Sequence, residues 1–282
     1  MTDQATFPFG KPSTPRPPRI PSGKAELFVL GVYPSALHVR WSPPAWAQSR
    51  LGIGTIGALA VDDEPTVFWD GADARDRIKQ WRADVQFREG DAEGDWGHVR
   101  AAGNGTSGRS VVERVLEPLG TGAEATWFSD VVDRFFVKSG NTRRREQADA
   151  TTADYAPFAV EAGLPEARLP SRPGTEELIE LGLAGHSERL REELTQARAP
   201  VVATLGEEAR RVLQGIADSA GGPPALPLEG QRMTGDAGAT YGEAGTVTLG
   251  DMEAQCYALV HPGQRSPTWT GLHDAWMRRR HG

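Results

Sequence analysis

Four continuous apolar runs, each closed by a turn, place the strongest limit on how this chain can fold. They cover residues 26–31, 125–132, 199–206 and 254–260. A strand that is apolar at consecutive positions is typical of a parallel sheet whose two faces are both covered. Segments with helical periodicity separate the runs, and this alternation predicts a mainly parallel sheet with helices on both faces. We therefore expect an α/β protein with a three-layer α/β/α architecture.

The helical segments have recognisable beginnings and ends. In residues 107–119 apolar residues recur at helical spacing, and Gly120 stands where a helix stop is expected. Thr175 can cap a long helix that Gly185 divides into two pieces. Further helices are expected over residues 207–215 and 272–280.

The chain divides into a leader and one domain. Residues 1–22 contain six prolines and few apolar residues, so we expect this leader to stay extended or disordered outside the fold. Residues 23–282 then form a single α/β domain, which is long enough to bury a sizeable core. Residues 62–100 are polar, contain Gly and Trp, and match no element of such a sheet. We interpret them as an insertion, either a lid or a decorated loop.

Cysteine usage and hydropathy bear on the compartment. Cys256 is the only cysteine, so the chain has no internal disulfide and no Cys cluster for zinc or an iron–sulfur centre. We expect no metal and no cofactor. No apolar run approaches the ~20 residues that a bilayer requires, and the N-terminus lacks the apolar core of a secretion signal. We expect a monomeric, cytoplasmic protein with no membrane partner.

The charge pattern bears on nucleic-acid binding. The chain has 31 basic and 38 acidic residues, a net charge of −7, which argues against a uniformly cationic surface. Basic residues nevertheless cluster locally, since Arg143, Arg144 and Arg145 are consecutive. Such a run can contact phosphates, and solvated loop charges are the alternative.

Chemically suggestive residues follow three of the predicted strands, where open α/β sheets bind their ligands. Tyr33, Pro34 and Ser35 follow the first strand, Asp130 ends the second, and His261 follows the last. An imidazole held by the following proline can polarise a carbonyl or stabilise a departing anion, and a loop histidine without a role is the alternative. The aspartate can accept hydrogen bonds from a ligand or cap a turn.

Five motifs, in order along the chain, resemble the uracil-DNA glycosylase superfamily, and most of all its thermostable branch that normally carries an iron–sulfur cluster. The likeness runs from about residue 27 to residue 279. The motifs are a strand leading into the turn Gly31-Val-Tyr-Pro-Ser35, a small-residue turn at 105–109 before a helix, a strand ending at 129–133, a long helix before a strand and Leu-Gly turn at 201–206, and His261-Pro262 before a terminal helix.

The resemblance implies a glycosylase-like fold and a reaction in which a nucleotide leaves the DNA stack and loses its base by cleavage of the N-glycosidic bond. By the same resemblance, His261 assists the departing base and Asp130 reads it. Gly31, Pro34 and Ser35 shape the base pocket.

The resemblance also implies DNA as the partner. The loop after the histidine enters the DNA in this family, which assigns Gln264, Arg265 and Ser266 to DNA contacts. Trp269 can stack there or belong to the core. The arginine run at 143–145 supplies further candidates for phosphate contacts.

Three departures from the family pattern change the expected chemistry. Tyr33 stands where an acidic or amide residue usually orients water, and a phenol with a pKa of about 10 is a poor base. Asp130 replaces an asparagine, and an ionised carboxylate suits an exocyclic amino group, as in cytosine or adenine, better than uracil. The aromatic that stacks on the base is absent from its usual place, and Trp69 and Trp96 are the candidates to replace it.

Three functions are consistent with these residues. The first is a DNA glycosylase of divergent base preference. The second is a non-enzymatic DNA- or nucleotide-binding protein of the same fold, in which Tyr33 occupies the position of the water. The third is a hydrolase or transferase of free nucleotides, which the acidic net charge favours.

Overall fold

The computed structural model describes residues 5–138, 154–217, 240–263 and 266–281. Its strands are β1 (Leu27–Gly31), β2 (Ala36–Ser42), β3 (Ile56–Asp63), β4 (His98–Ala101), β5 (Thr126–Asp130), β6 (Val201–Leu205), β7 (Ala244–Leu249) and β8 (Met252–Leu259). Its α-helices are α1 (Ala45–Leu51), α2 (Ala74–Asp84), α3 (Thr106–Val111), α4 (Glu117–Leu119), α5 (Ala156–Glu161), α6 (Thr175–Gly185), α7 (Ser187–Ala197), α8 (Glu207–Ile216) and α9 (Pro267–His281). A π-helical turn, Val112–Leu116, joins α3 to α4, so residues 106–119 form one continuous helix.

The central sheet has five strands in the order β5-β1-β6-β8-β7. The first four are parallel, and β7 pairs antiparallel with β8 at the edge. In the register of β1 and β5, Gly31 lies opposite Asp130. The expectation of a mainly parallel central sheet is confirmed, whereas the antiparallel edge strand has no counterpart in the sequence analysis.

Helices cover both faces of this sheet. Phe28 and Leu30 of β1 pack with α6, α7 and α8, whereas Leu27 and Val29 pack with the 106–119 helix and α9. Consecutive apolar residues are needed because alternate side chains of one strand enter different cores. The arrangement is compatible with a three-layer α/β/α fold.

The predicted helix boundaries are largely confirmed. The 106–119 helix stops at Gly120, whose φ of 73° is the left-handed conformation that favours glycine. The break after Gly185 separates α6 from α7. Thr175, however, is the first residue of α6, and Gly174 occupies the capping position without a side-chain bond. None of the helices in the described ranges is long and apolar enough to cross a bilayer.

A second sheet contains the segment that sequence analysis could not place. Strands β3-β2-β4 form an antiparallel sheet, and with α1, α2 and α5 they make up what we call the small unit. Residues 62–100 supply the end of β3, all of α2 and most of β4. They are therefore part of a folded unit that begins at β2, and not a loop added to the central sheet.

The expectation that the leader stays outside the fold is wrong for residues 5–22, which we call the N-terminal strap. Phe7 and Phe9 are 0% and 3% exposed. The Phe9 ring lies 5.6 Å from Trp81 and 5.0 Å from Tyr155, and its amide donates to the Tyr155 hydroxyl at 2.6 Å. These two phenylalanines anchor a segment whose prolines had suggested disorder.

The strap also contacts the central sheet. The amide of Arg19 donates to the Phe128 carbonyl at 2.9 Å, and the Phe128 amide donates back at 3.0 Å. The Arg16 amide donates to the Asp133 carbonyl at 2.6 Å, and its guanidinium donates to the Glu64 carbonyl at 3.3 Å. The strap thus joins the small unit to the parallel sheet.

Candidate functional site

A cavity of about 410 Å³ lies at the carboxyl ends of the parallel strands. Within the central sheet, the strand that follows β1 along the chain is β5, which lies on one side of β1, and the next is β6, which lies on the other side. This change of direction makes the end of β1 a topological switch point. Ligands of open α/β sheets bind at such points. The cavity is therefore the candidate site.

The residues predicted from three separate strands meet in this cavity. Tyr33, Pro34, Ser35, Asp130 and His261 all line it. They come from the ends of β1, β5 and β8, which are separated by about a hundred residues of sequence but lie along one edge of the sheet. The parallel register brings them together, as the sequence analysis expected.

Gly31 lies beneath the cavity and leaves room for two of its walls. A β-carbon at this position would overlap the carboxyl group of Asp130 and the ring of Phe68. The Asp130 carboxyl therefore lies across the Cα atom of Gly31. Any larger residue at this position would displace both side chains.

The Asp130 side chain is 5% exposed, and its carboxyl group makes no hydrogen bond with another described residue. The nearby guanidinium of Arg189 donates instead to the main-chain carbonyls of Asp130, at 2.7 Å, and Val131, at 2.9 Å. Burial, together with the Glu64 carboxyl, raises the pKa of Asp130 well above its ordinary value. A protonated carboxyl offers one donor and one acceptor, which is the pattern of an amide.

Glu64 is a cavity residue that the sequence analysis missed. It follows β3, is 4% exposed, and accepts a hydrogen bond from the Ser35 amide at 2.8 Å. Burial raises its pKa to about 7, although the backbone amides of Ser35 and Trp69 act in the opposite direction. A carboxyl group that titrates near neutrality can take up or release a proton under physiological conditions. No periodic pattern in the polar 62–100 segment marks this residue.

His261 is held as a neutral imidazole in one tautomer. The Gly263 amide donates to its Nδ1 atom at 3.0 Å, which places the ring proton on Nε2. Burial, with the positive charges of Lys138 and Arg172, lowers the pKa of this imidazole to about 4. The Nε2–H group is therefore a permanent donor at neutral pH.

Tyr33 does not have the properties of a base. Its ring meets Phe136 edge-on at 5.5 Å, and the Arg172 guanidinium lies 5.8 Å from the ring centroid. Burial raises the pKa of the phenol. Arg172 itself pairs with Glu208 at 2.7 Å. Tyr33 keeps its proton at neutral pH and can act as a hydrogen-bonding hydroxyl or an apolar wall, but not as a base.

Phe68 contributes an aromatic ring to the cavity that the sequence analysis did not single out. It lines the cavity and has a φ of 53°, an uncommon conformation for a bulky residue. The proposed substitutes lie elsewhere. Trp69 and Trp96 are buried in the small unit, and the Trp69 indole donates to Asp73 at 2.7 Å. The aromatic ring that lines the cavity thus belongs to the residue before Trp69, one of the predicted candidates.

The predicted DNA-contact residues are only partly described. Those outside the described residues are Arg143, Arg144, Arg145, Gln264 and Arg265. Ser266 precedes α9, and its carbonyl accepts the Thr270 amide at 3.0 Å. Trp269, a residue of α9, is 6% exposed and packs in the core of the central sheet, so the core alternative is confirmed for this residue.

Within the described ranges, no group of three or more His, Cys, Asp or Glu side chains is arranged to hold a metal ion. Cys256 is buried in the central sheet, and burial raises the pKa of its thiol to about 12.

A scan against protein-family models finds no match to this chain, and a search of curated proteins finds none either.

Proposed function

We propose that this protein is a DNA glycosylase with the uracil-DNA glycosylase fold, which flips a base out of DNA and cleaves its N-glycosidic bond. One observation carries the proposal. Tyr33, Asp130 and His261, which belong to three of the ordered motifs, line one cavity at the switch point of the sheet. The cavity volume of about 410 Å³ is in the range of small-molecule sites.

His261 is suited to assist the departing base. As the bond between C1′ and the base nitrogen breaks, its electron pair moves onto the base, which leaves as an anion. The Nε2–H donor of a neutral imidazole stabilises that charge without losing its proton, and the partly buried setting strengthens the interaction.

Glu64 is suited to activate the water. The oxygen of the water bonds to C1′, and its proton passes to the ionised Glu64 carboxylate. With a pKa of about 7, roughly half of these carboxylates are ionised at neutral pH. Glu64 thereby performs the function for which Tyr33 is unsuited, and this favours an enzyme over a non-catalytic binding protein.

Phe68 and Asp130 are suited to hold the base. A flipped base is commonly held by stacking on an aromatic face and by hydrogen bonds to its edge. The Phe68 ring and the Asp130 carboxyl meet above Gly31, so one base can contact both. Lys138 is exposed at the cavity and is available for the DNA backbone.

A lesion panel tests the proposal. Duplexes containing uracil, hypoxanthine, xanthine or alkylated bases are incubated with the protein and then cleaved with alkali, alongside the free nucleosides. We expect strand cleavage at a lesion, and loss of that cleavage in His261→Ala. The matched control is His98→Ala, since His98 is exposed and pairs with Asp91 at 3.3 Å on the surface. Hydrolysis confined to free nucleosides, or equal activity of the two variants, would contradict the proposal.

A further inference from the structure

We propose that Asp130 keeps a proton at neutral pH beside the Glu64 carboxyl, and that this proton allows the cavity to bind the carbonyl-bearing edge of a base. The inference rests on the proposed function, because it takes the base as the ligand of this cavity. It goes beyond that function by naming the group that selects the base and by making the selection depend on pH.

The first support is that Asp130 has no cationic partner for a negative charge. Its carboxyl makes no hydrogen bond with a described residue. The Arg189 guanidinium, which acts on Asp130 electrostatically, contacts two main-chain carbonyls and pairs with Glu193 at 2.7 Å. A buried carboxylate without a partner is unfavourable, and a second buried carboxyl nearby makes double ionisation more so.

The second support is the asymmetry between the two carboxyl groups. Glu64 accepts the Ser35 amide at 2.8 Å, and such bonds favour the charged form. Asp130 accepts no such bond. The negative charge therefore belongs on Glu64 and the proton on Asp130. Burial raises the pKa of both groups, and the Glu64 carboxyl raises that of Asp130 further.

The other charged and titratable groups act on this pair from several elements. From α7 these are Arg189 and Glu193, and from the turn after β1 it is Tyr33. Arg16 of the strap and Asp63 of β3 act on Glu64. The cavity also contains His38, Lys138, Arg172, Glu208 and His261. The two histidines are neutral at pH 7, since burial lowers the pKa of each to about 4, and Arg172 pairs with Glu208. None of these groups neutralises Asp130 directly.

Whether the Asp130 carboxyl carries a proton has a direct chemical consequence. With the proton, Asp130 donates to a carbonyl oxygen and accepts from a ring N–H, the edge that uracil, hypoxanthine and xanthine share. Without it, Asp130 only accepts, which suits an exocyclic amino group. The preference for amino-bearing bases expected from the sequence thus applies to the ionised form alone.

The protonation state is measured first, without any substrate. Carboxyl carbons of Asp and Glu are labelled with ¹³C, and their NMR signals are followed from about pH 4 to about pH 9. Asp130→Asn and Glu64→Gln assign the two signals, and Asp62→Asn is the control at a carboxyl outside the cavity. We expect Asp130 to stay protonated at neutral pH and to titrate lower in Glu64→Gln. An ionised Asp130 at neutral pH would overturn the proposal.

Base selection is measured next, with duplexes that carry 2′-fluoroarabino analogues of uridine or cytidine, which resist cleavage. We expect the affinity of the uridine duplex relative to that of the cytidine duplex to be at least roughly tenfold higher at low pH than at a pH where Asp130 is ionised. Asp130→Asn is expected to keep the low-pH ratio at every pH. A ratio that ignores pH in the wild type overturns the selection by Asp130.

The proposed function can fail separately. If neither duplex binds, free uracil and free cytosine are added to the labelled protein. A shift of the Asp130 signal by uracil alone at neutral pH would support the inference while the DNA function fails, and an equal response to both bases would overturn the inference.

Discussion

Two regions build the walls of the cavity in different ways. The central sheet contributes groups at the ends of its strands, with Asp130 as the last residue of β5 and His261 after β8. The small unit contributes Glu64 and Phe68 from the turn after β3. Parallel strands place their carboxyl ends together by register alone, whereas the turn after β3 reaches the cavity only because the small unit is packed beside the sheet. The positions of Asp130 and His261 therefore follow from the regular pairing of the strands. The positions of Glu64 and Phe68 depend on how the small unit packs against the sheet.

The two cores differ in the same sense. The cores on the two faces of the central sheet are mostly aliphatic, and the strand residues in them come from alternate positions along each strand. The small unit is centred on aromatic rings, and Phe9 from the strap contacts Trp41, Trp81, Trp96 and Tyr155. These rings come from distant parts of the sequence. We infer that the small unit, and with it Glu64, depends on the strap more than the central sheet does.

The largest expected effect is on the chemistry that the small unit contributes. Glu64→Gln keeps the size of the side chain and the acceptor for the Ser35 amide, but removes the carboxylate that acts as the general base. We expect excision at a lesion to slow by roughly 10²- to 10⁴-fold, the usual contribution of a general base. Single-turnover cleavage of the best duplex in the panel measures it. Asp62→Asn, two residues earlier and outside the cavity, is the control, and equal rates for both variants would remove Glu64 from the mechanism.

The next effect concerns the stability of the small unit. Phe9→Ala removes a ring that is 3% exposed from the aromatic core, which is expected to cost roughly 3–5 kcal/mol. Ile20→Ala, in the same strap but 53% exposed, is expected to change stability by less than about 0.5 kcal/mol. Denaturant unfolding monitored by tryptophan fluorescence compares them. A small loss for Phe9→Ala would mean that the strap is not part of the core.

The same contrast explains how much could be predicted from sequence. The parallel sheet, its helices and the meeting of Tyr33, Asp130 and His261 follow from apolar runs and from the rule that strand ends share an edge. Glu64 and Phe68 could not be found in this way, because no periodic pattern precedes them. The burial of Phe9 could not be predicted either, because the prolines around it suggested disorder. The segment is ordered because Phe7 and Phe9 are buried in the protein.

Ionisation of Glu64 gives an effect of intermediate size on stability. Its pKa is raised from an ordinary 4.5 to about 7, so this group stabilises the fold below about pH 4.5 and loses that contribution as pH rises through 7. Glu64→Gln removes the dependence. We expect its unfolding free energy, relative to the wild type, to improve by roughly 3 kcal/mol between about pH 4 and about pH 8.5. Urea unfolding across this range measures it, with the exposed Glu253→Gln as baseline, and parallel curves for Glu64→Gln and the wild type would contradict the assignment.

The smallest effect separates the two regions through a matched pair of buried tyrosines. The Tyr241 hydroxyl accepts the amide of Val260, the residue before His261, at 3.1 Å. The same hydroxyl lies 2.6 Å from Nδ1 of His273. The Tyr155 hydroxyl accepts the Phe9 amide at 2.6 Å in the small unit. Each Tyr→Phe change leaves a buried amide unpaired and is expected to cost roughly 1–2 kcal/mol.

The two variants should differ in what happens at the imidazole. Because Val260 precedes His261, we expect Tyr241→Phe to shift the ring ¹⁵N signals of His261 and to slow excision several-fold, whereas Tyr155→Phe leaves both nearly unchanged. Equal shifts in the two variants would show that the backbone before His261 is held by the sheet itself. In that case Tyr241 would stabilise the central sheet without positioning the imidazole, and the end of β8 would need no support beyond its parallel pairing with β6.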